Sequence, residues 1–308
     1  MAKSGFVVIA GRPNAGKSTL MNRIVGSRLS IVTPKAQTTR ERVLGIFTEK
    51  QGQMVFVDTP GIHNAKEGGI NAYMMNEVRE ALEGVSCIWY LVDPTSVIKA
   101  ETVVLEILKA AQVPIFLIWN KADLKYVLPG GLLTEIPARA QELGVQITRE
   151  FKVSALKGKG VDELLSATWE TLPEGVPHYP DPEQISDRPV RFFVAEKIRE
   201  QLLLQLGEEL PYCCAVEIER FEEGGKLPRI EAVIHVERDS QKGMVVGKGG
   251  QKIKAIGTAA RAEVEKFMGQ GVFLGLSVKV LKDWSKDAEA LKRLGYHLPD
   301  PKGKGGRK

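Results

Sequence analysis

The chain has 308 residues, 43% hydrophobic and 26% charged, with a net charge of +5. This is globular composition, and at roughly 150 residues per domain the length suggests two domains. No apolar run reaches the roughly 20 residues of a membrane span, and Cys87, Cys213 and Cys214 are too few and too irregular for a disulfide framework or a four-ligand zinc site.

Phe6–Ala10 reads as a short buried strand that runs into a glycine-rich turn, which argues against a signal peptide. Residues 16–26 read as a helix with Leu20, Met21, Ile24 and Val25 on one stripe. Val43–Thr48 and Met54–Val57 flank a Gln51-Gly52 turn and suggest a hairpin. Ile88–Val92 and Ile115–Trp119 are continuous apolar strands. Helical patterns lie at 72–82, 101–110, 132–143 and 161–171. Continuous strands separated by helices imply a mostly parallel sheet covered on both faces, a doubly wound α/β domain.

Five prolines then fall within residues 173–189 and read as a stiff linker. Beyond it lie a helix at 190–206 and strand patterns at 212–220 and 229–236. Cys213 and Cys214 would sit on the first of these strands and point to opposite faces. A glycine-rich turn at 243–250, a helix at 251–267, a strand at 273–281 and a short helix at 286–294 complete the pattern. If a short helix precedes the glycine turn, the order is α-β-β-α-α-β, a smaller α+β domain. The predicted organisation is a first domain at 1–172, a linker at 173–189, a second domain at 190–285, and a helix with a basic disordered tail at 286–308.

Charge is uneven. Residues 1–175 carry 20 Lys and Arg against 18 Asp and Glu, residues 176–237 carry 7 against 13, and residues 238–308 carry 16 against 7. The basic end suggests an anionic partner, nucleic acid first and membrane surface second, or simply a solvated face.

Residues 11–18 read GRPNAGKS, the G-x-x-x-x-G-K-[ST] pattern. Gly11, Arg12, Pro13, Asn14, Ala15 and Gly16 supply a backbone cradle for phosphates, and Thr19 follows in the helix whose N-terminus faces the same charge. Lys17 suits the β- and γ-phosphates, and the Ser18 hydroxyl suits Mg²⁺. Asp58-Thr59-Pro60-Gly61 follows a strand: Asp58 suits Mg²⁺ through a water, and the Gly61 N–H suits the γ-phosphate. Asn120, Lys121 and Asp123 follow another strand. The Asp123 carboxylate matches the paired N–H donors of guanine, which adenine lacks. Asn120 supports the loop and Lys121 lies along the base. The backbone at Ser154 and Ala155 suits guanine O6. In this order the segments point to GTP rather than ATP.

The constellation resembles the P-loop GTPase superfamily. That resemblance places a first switch at Gln37-Thr38-Thr39-Arg40, with Thr39 as the Mg²⁺-sensing threonine and Thr38 as its rival. Lys17, Thr39, Gly61 and Asn14 become the expected catalytic set. Ras-like enzymes carry a water-positioning Gln directly after the glycine of the DxxG segment; this chain has Ile62, which cannot orient water. In relatives with a hydrophobic residue there, the asparagine equivalent to Asn14 helps hold K⁺, which implies slow turnover that is faster in KCl than in NaCl. His63 reads as an ordinary loop histidine, with a role as base the lesser alternative.

Gly247-Lys248-Gly249-Gly250 is a GxxG turn. In this element order, with Val245, Val246, Ile253 and Ile256 around it, it resembles the bacterial type II KH fold, which clamps about four single-stranded nucleotides. Lys242, Lys252, Lys254 and Arg261 would line the backbone track. A GTPase domain followed by such a KH domain, with residues 35–40, 56–63 and 235–257 as they stand here, resembles the Era family of bacterial ribosome-assembly GTPases. The resemblance implies GTP and GDP with Mg²⁺ as cofactors, and K⁺ at Asn14. It implies binding near the 3′ end of 16S rRNA, action on the 30S subunit, and no DNA partner. It also implies a cytoplasmic protein that associates with the inner membrane face. Two alternatives are an RNA chaperone whose GTP site is structural and a membrane-associated signalling GTPase.

Overall fold

The computed structural model describes residues 2–63, 68–124, 131–224 and 227–298. The basic tail, Lys302–Lys308, lies outside the described residues. The chain divides into two compact units, with Asp187 closing the first and Arg188 opening the main run of the second.

In the first unit the elements run β1 (Lys3–Gly11), α1 (Lys17–Val25), β2 (Val43–Glu49), β3 (Gly52–Asp58), α2 (Gly69–Ala81, whose first turns group with the second unit), β4 (Cys87–Val92), α3 (Ile98–Leu108), β5 (Ile115–Trp119), α4 (Leu132–Leu143), β6 (Ile147–Lys152) and α5 (Val161–Thr171). They build a six-stranded sheet in the order β2-β3-β1-β4-β5-β6. Only β2 is antiparallel, because it forms the hairpin with β3. Every residue of β4 and β5 is buried, as continuous apolar strands under helices on both faces require. The parallel strands end on one side of the sheet, and the loops that leave β1, β3 and β5 there carry the motifs.

Residues 173–187 have no regular structure apart from one bridge, as their prolines dictate, yet they are fastened along the first unit. Lys3 bridges Glu174. Gln53 and Tyr179 exchange two hydrogen bonds of 2.9 Å. Ile46 N–H donates to Ile185 O at 2.9 Å, and Ser186 Oγ donates to Leu44 O at 2.6 Å. The segment is a strap on the sheet rather than a bare spacer.

The second unit runs α6 (Val190–Gln205), β7 (Ala215–Glu222), β8 (Arg229–Val236), α7 (Asp239–Val246), α8 (Gln251–Met268), β9 (Phe273–Val280) and α9 (Ala288–Arg293). Its three-stranded sheet has the order β7-β8-β9, with β7 antiparallel and β9 parallel to β8. The short helix that the order required is α7. Gln241 Oε1 caps it by accepting from Glu237 N and Arg238 N at 2.9 and 3.0 Å. Val194, Ile198 and Ile230 pack with Ala260 and Val264 of α8 to form part of the core.

The strand expected from residue 212 starts instead at Ala215. Pro211 lies in a 3₁₀ turn over Leu210–Cys213, and Cys214 N–H closes it on Pro211 O at 3.2 Å. Cys213 and Cys214 are therefore turn residues, not opposite-facing strand neighbours. Both are free thiols, as is Cys87.

Candidate functional site

The P-loop leaves β1 at Gly11 and enters α1 at Lys17. The turn needs left-handed backbone at Asn14 (φ 62°) and Gly16 (φ 98°). A Cβ on Gly16 would lie 2.2 Å from Asn120 Nδ2, so only glycine fits there. Lys17 is 5% exposed, and its Nζ donates to Gly11 O at 3.1 Å and to Arg12 O at 2.9 Å. Burial pushes its ammonium down to about 8, against the opposing pull of Asp58 and Glu101. A cleft of about 490 Å³ opens over this loop, lined by Pro13, Asn14, Gly16, Lys17, Ser18 and Thr19 and, across from them, by Gln37, Thr38, Thr39 and Gly61.

Three oxygen-bearing side chains converge at its floor. Ser18 Oγ donates to Asp58 Oδ2 at 2.7 Å and lies 3.2 Å from Thr39 Oγ1. Asp58 is fully buried, and burial raises its carboxyl above the ordinary range despite Lys17 and the bond from Ser18. Among the described residues its Oδ1 has no hydrogen-bond partner. An orphaned carboxylate oxygen beside two hydroxyls is a hard, oxygen-only environment that fits Mg²⁺. Ser18 and Thr39 would hold the ion, and Asp58 would act through water. Of the two candidate threonines, the structure brings Thr39 to Ser18.

The loops expected to read the base are tied to the P-loop by one side chain. Asn120 Nδ2 donates to Ala15 O at 2.7 Å, and Asn120 Oδ1 accepts from Ala155 N–H at 2.9 Å. Asp123 is exposed, and Ser154 Oγ donates to its Oδ1 at 2.5 Å. That bond leads in holding the Asp123 carboxyl below its usual range. Lys121 lines the cleft and pairs with Asp93.

The backbone donors expected at guanine O6 are engaged within the chain, Ala155 N–H with Asn120 Oδ1 and Ser154 N–H with Lys159 O, both at 2.9 Å, and three motif side chains are occupied elsewhere. The Arg12 side chain donates to Ser96 Oγ at 3.3 Å, toward α3. The buried Thr59 hydroxyl donates to Ile9 O at 3.0 Å and serves the end of β1. Pro60 is buried beside it. Ile62 is fully buried in the core with Val8 and Ala10, so the place where Ras-like enzymes put a glutamine is closed to water.

Sequence reasoning missed Ile31, Val32, Thr33 and Pro34, which line the cleft. Asn14 Nδ2 donates to Pro34 O at 3.0 Å, and its Oδ1 is the atom a cation would use. It also missed Arg23, whose Nε holds Ala155 O at 2.6 Å. No motif flags these residues, because backbone atoms are what they offer or contact.

In the second unit, Gly247 (φ 72°) abuts Lys252, whose Cβ would be 2.7 Å from a Cβ on Gly247. Gly249 and Gly250 are also left-handed, and Gly250 caps α8. Lys242, Lys248, Lys252, Lys254 and Arg261 are all exposed. A separate cleft of about 310 Å³ runs between α8 and β9, where Ile253, Gly257, Leu274 and Leu276 make an apolar floor beside Lys254, Thr258 and Arg261. Of the residues expected on the RNA track, Lys254 and Arg261 line it, whereas among the described residues Lys242, Gly247, Lys248, Gly249, Gly250 and Lys252 do not. An apolar groove flanked by cations, on a helix that a glycine turn opens, can hold bases and their phosphates together.

A family described as 50S ribosome-binding GTPase matches residues 6–121, and the KH domain family matches residues 209–285. GTPase Era of Staphylococcus haemolyticus is 42% identical over 296 residues, which cover 96% of this chain and 97% of that protein. The chain belongs to the Era family. It is a GTPase with GTP, GDP and Mg²⁺ as cofactors. Two solved Era structures match it along nearly its whole length. A variant of Era from Aquifex aeolicus bound to GDP and AlF₄⁻ superposes with a TM-score of 0.88 at 36% identity, covering 96% of this chain and all of that one. Era in complex with MgGDPNP and nucleotides 1506–1542 of 16S ribosomal RNA gives 0.89 at 35% identity, covering 97% and 100%.

Proposed function

We propose that this protein is a GTP-driven switch that binds the 3′ region of 16S rRNA through its α8–β9 cleft and assists 30S subunit assembly. The observation that carries the reading is the coexistence of a cleft lined by the P-loop and Thr39 with a second cleft between α8 and β9, on the helix that the GxxG turn opens. The Era structure that pairs MgGDPNP with 16S rRNA nucleotides supports it. The nucleotide residues act as Lys17 on phosphate, Ser18 and Thr39 on Mg²⁺, and Asp123 on guanine. Asn14 is the place for K⁺, so hydrolysis is faster in KCl than in NaCl at equal ionic strength. The same reading puts the protein in the cytoplasm with peripheral attachment to the inner membrane face. No described helix is long and apolar enough to cross a membrane.

The test is to crosslink the protein to RNA with a GTP analogue or GDP bound, at one salt concentration, and sequence what is recovered. A sharp analogue-dependent peak at the 3′ end of 16S rRNA is expected. A flat profile that ignores nucleotide would reduce the second unit to a generic basic RNA binder.

A further inference from the structure

The burial of Ile62 leaves open which side chain orients the attacking water. Beside it, two polar residues from different segments make an ordered chain of hydrogen bonds. His63 Nδ1 lies 2.9 Å from Gly61 O. A carbonyl oxygen only accepts, so Nδ1 carries the proton, and in a neutral ring Nε2 is then a bare acceptor. That Nε2 lies 2.9 Å from the side-chain nitrogen of Gln37. The bond exists only if the Gln37 NH₂ donates, which fixes the amide: NH₂ toward His63, and Oε1 left for another donor.

Gln37 lines the same cleft as Lys17, Ser18, Thr39 and Gly61. Its φ of 56° is left-handed, a conformation that glutamine rarely adopts. Such local strain persists where the surroundings over-determine a conformation, which is common at functional sites.

We propose that Gln37 is a catalytic residue whose Oε1 accepts a hydrogen bond from the water attacking the γ-phosphate, and that His63 is the positioning residue that aims it. The proposal rests on GTP occupying the cleft. The water oxygen bonds to the γ-phosphorus, and the bond from that phosphorus to the bridging oxygen breaks. The electron pair leaves on GDP, and the water's protons end on the released phosphate and the medium. Neither amide nor imidazole gains or loses a proton; they orient. The division of labour differs from that of Ras-like enzymes, because the orienting amide comes from the first switch and its anchor from the segment after Gly61.

The experiment uses the full-length protein with Mg²⁺ and KCl. It measures single-turnover GTP hydrolysis, GTP affinity, and affinity for GDP with aluminium fluoride. Gln37→Leu should slow hydrolysis by at least about tenfold, since one orienting contact is worth that much or more. GTP affinity should stay within about twofold, while affinity for the aluminium fluoride complex falls with the rate. His63→Leu should show the same split. The double variant should be no slower than the worse single, as residues acting as a unit are non-additive. Wild-type hydrolysis by Gln37→Leu would overturn the proposal, as would losses that multiply in the double variant. Equal weakening of GTP and the aluminium fluoride complex would assign the pair to structure alone. Failure of the wild type to bind GTP would overturn the nucleotide reading itself, and the affinity arm detects that separately.

Discussion

Asn120 donates its side-chain amide to the Ala15 carbonyl at 2.7 Å. Its other amide atom receives the Ala155 N–H. One buried residue thus fixes the spacing between the P-loop and the loop at Ala155. Asn120→Ala would leave two buried backbone groups unpaired, at about 1–3 kcal/mol each. GTP and GDP affinities should both fall, on the order of 10- to 100-fold, with guanine preference intact. Titration with fluorescent guanine and xanthine nucleotides checks this. Asp123→Asn should behave in the opposite way and shift preference toward xanthine.

Ile62→Gln should not produce a Ras-like enzyme. The side chain is fully buried among apolar neighbours, so a glutamine there buries an amide without a partner, at a cost of about 1–3 kcal/mol. A lower Tm with no gain in hydrolysis is expected. Faster hydrolysis at unchanged Tm would show that position 62 reaches the cleft.

Lys17 should make nucleotide affinity fall in alkaline solution. Its pKa is about 8 in the folded chain, against 10.5 for an ordinary lysine. Between those values the unfolded chain holds a proton that the folded one has lost, so this residue's contribution to stability improves as pH rises from about 8 to 10.5. A triphosphate favours the charged amine and draws the proton back. Nucleotide binding near pH 9 should therefore take up protons, and affinity should decline as pH rises beyond 8. Titration calorimetry in two buffers of different ionisation enthalpy measures the uptake. Lys17→Ala should abolish both the uptake and the pH dependence.

Gly249→Asp separates RNA binding from folding. The residue is exposed with φ 58°, a conformation Asp tolerates better than most, and nothing lies within 4 Å of an added Cβ. Thermal unfolding should hardly move. RNA affinity should drop several-fold, because a carboxylate would stand beside a phosphate. Electrophoretic shifts at fixed salt with a 16S 3′-end RNA decide it, and undiminished affinity would place the RNA off this turn.

The placement of the loops after β1, β3 and β5 was legible in the sequence because backbone cradling, an oxygen-ligand set and guanine pairing each demand particular residue types at fixed offsets after a strand. The order of the second unit was legible from periodicity except at α7, which entered the reading only as a condition. The reach of side chains was not. Arg12 and Thr59 sit inside motifs but bond Ser96 and Ile9, and only the packed structure decides between inward and outward. Pro34 takes part through a carbonyl that every residue carries, and Arg23 through its bond to another, that of Ala155. The pairing of Gln37 with His63 joins segments 26 residues apart through two common polar side chains, and no spacing rule covers it. The prolines of residues 173–187 correctly excluded regular structure, but the reciprocal pair of Gln53 with Tyr179 left no mark in composition.

That proline-bearing strap also has a protective consequence. β2 is an outermost strand, and its open side offers backbone groups to any passing chain. Ile185 O and Ser186 Oγ occupy two of those groups, at Ile46 and Leu44. Pro177, Pro180 and Pro182 upstream lack the N–H needed to carry a ladder onward. The strap is a hem: it closes the weave and cannot itself be stitched to. A fragment cut after Thr171 would fray along β2 and self-associate, whereas one ending at Asp187 would keep its finished border.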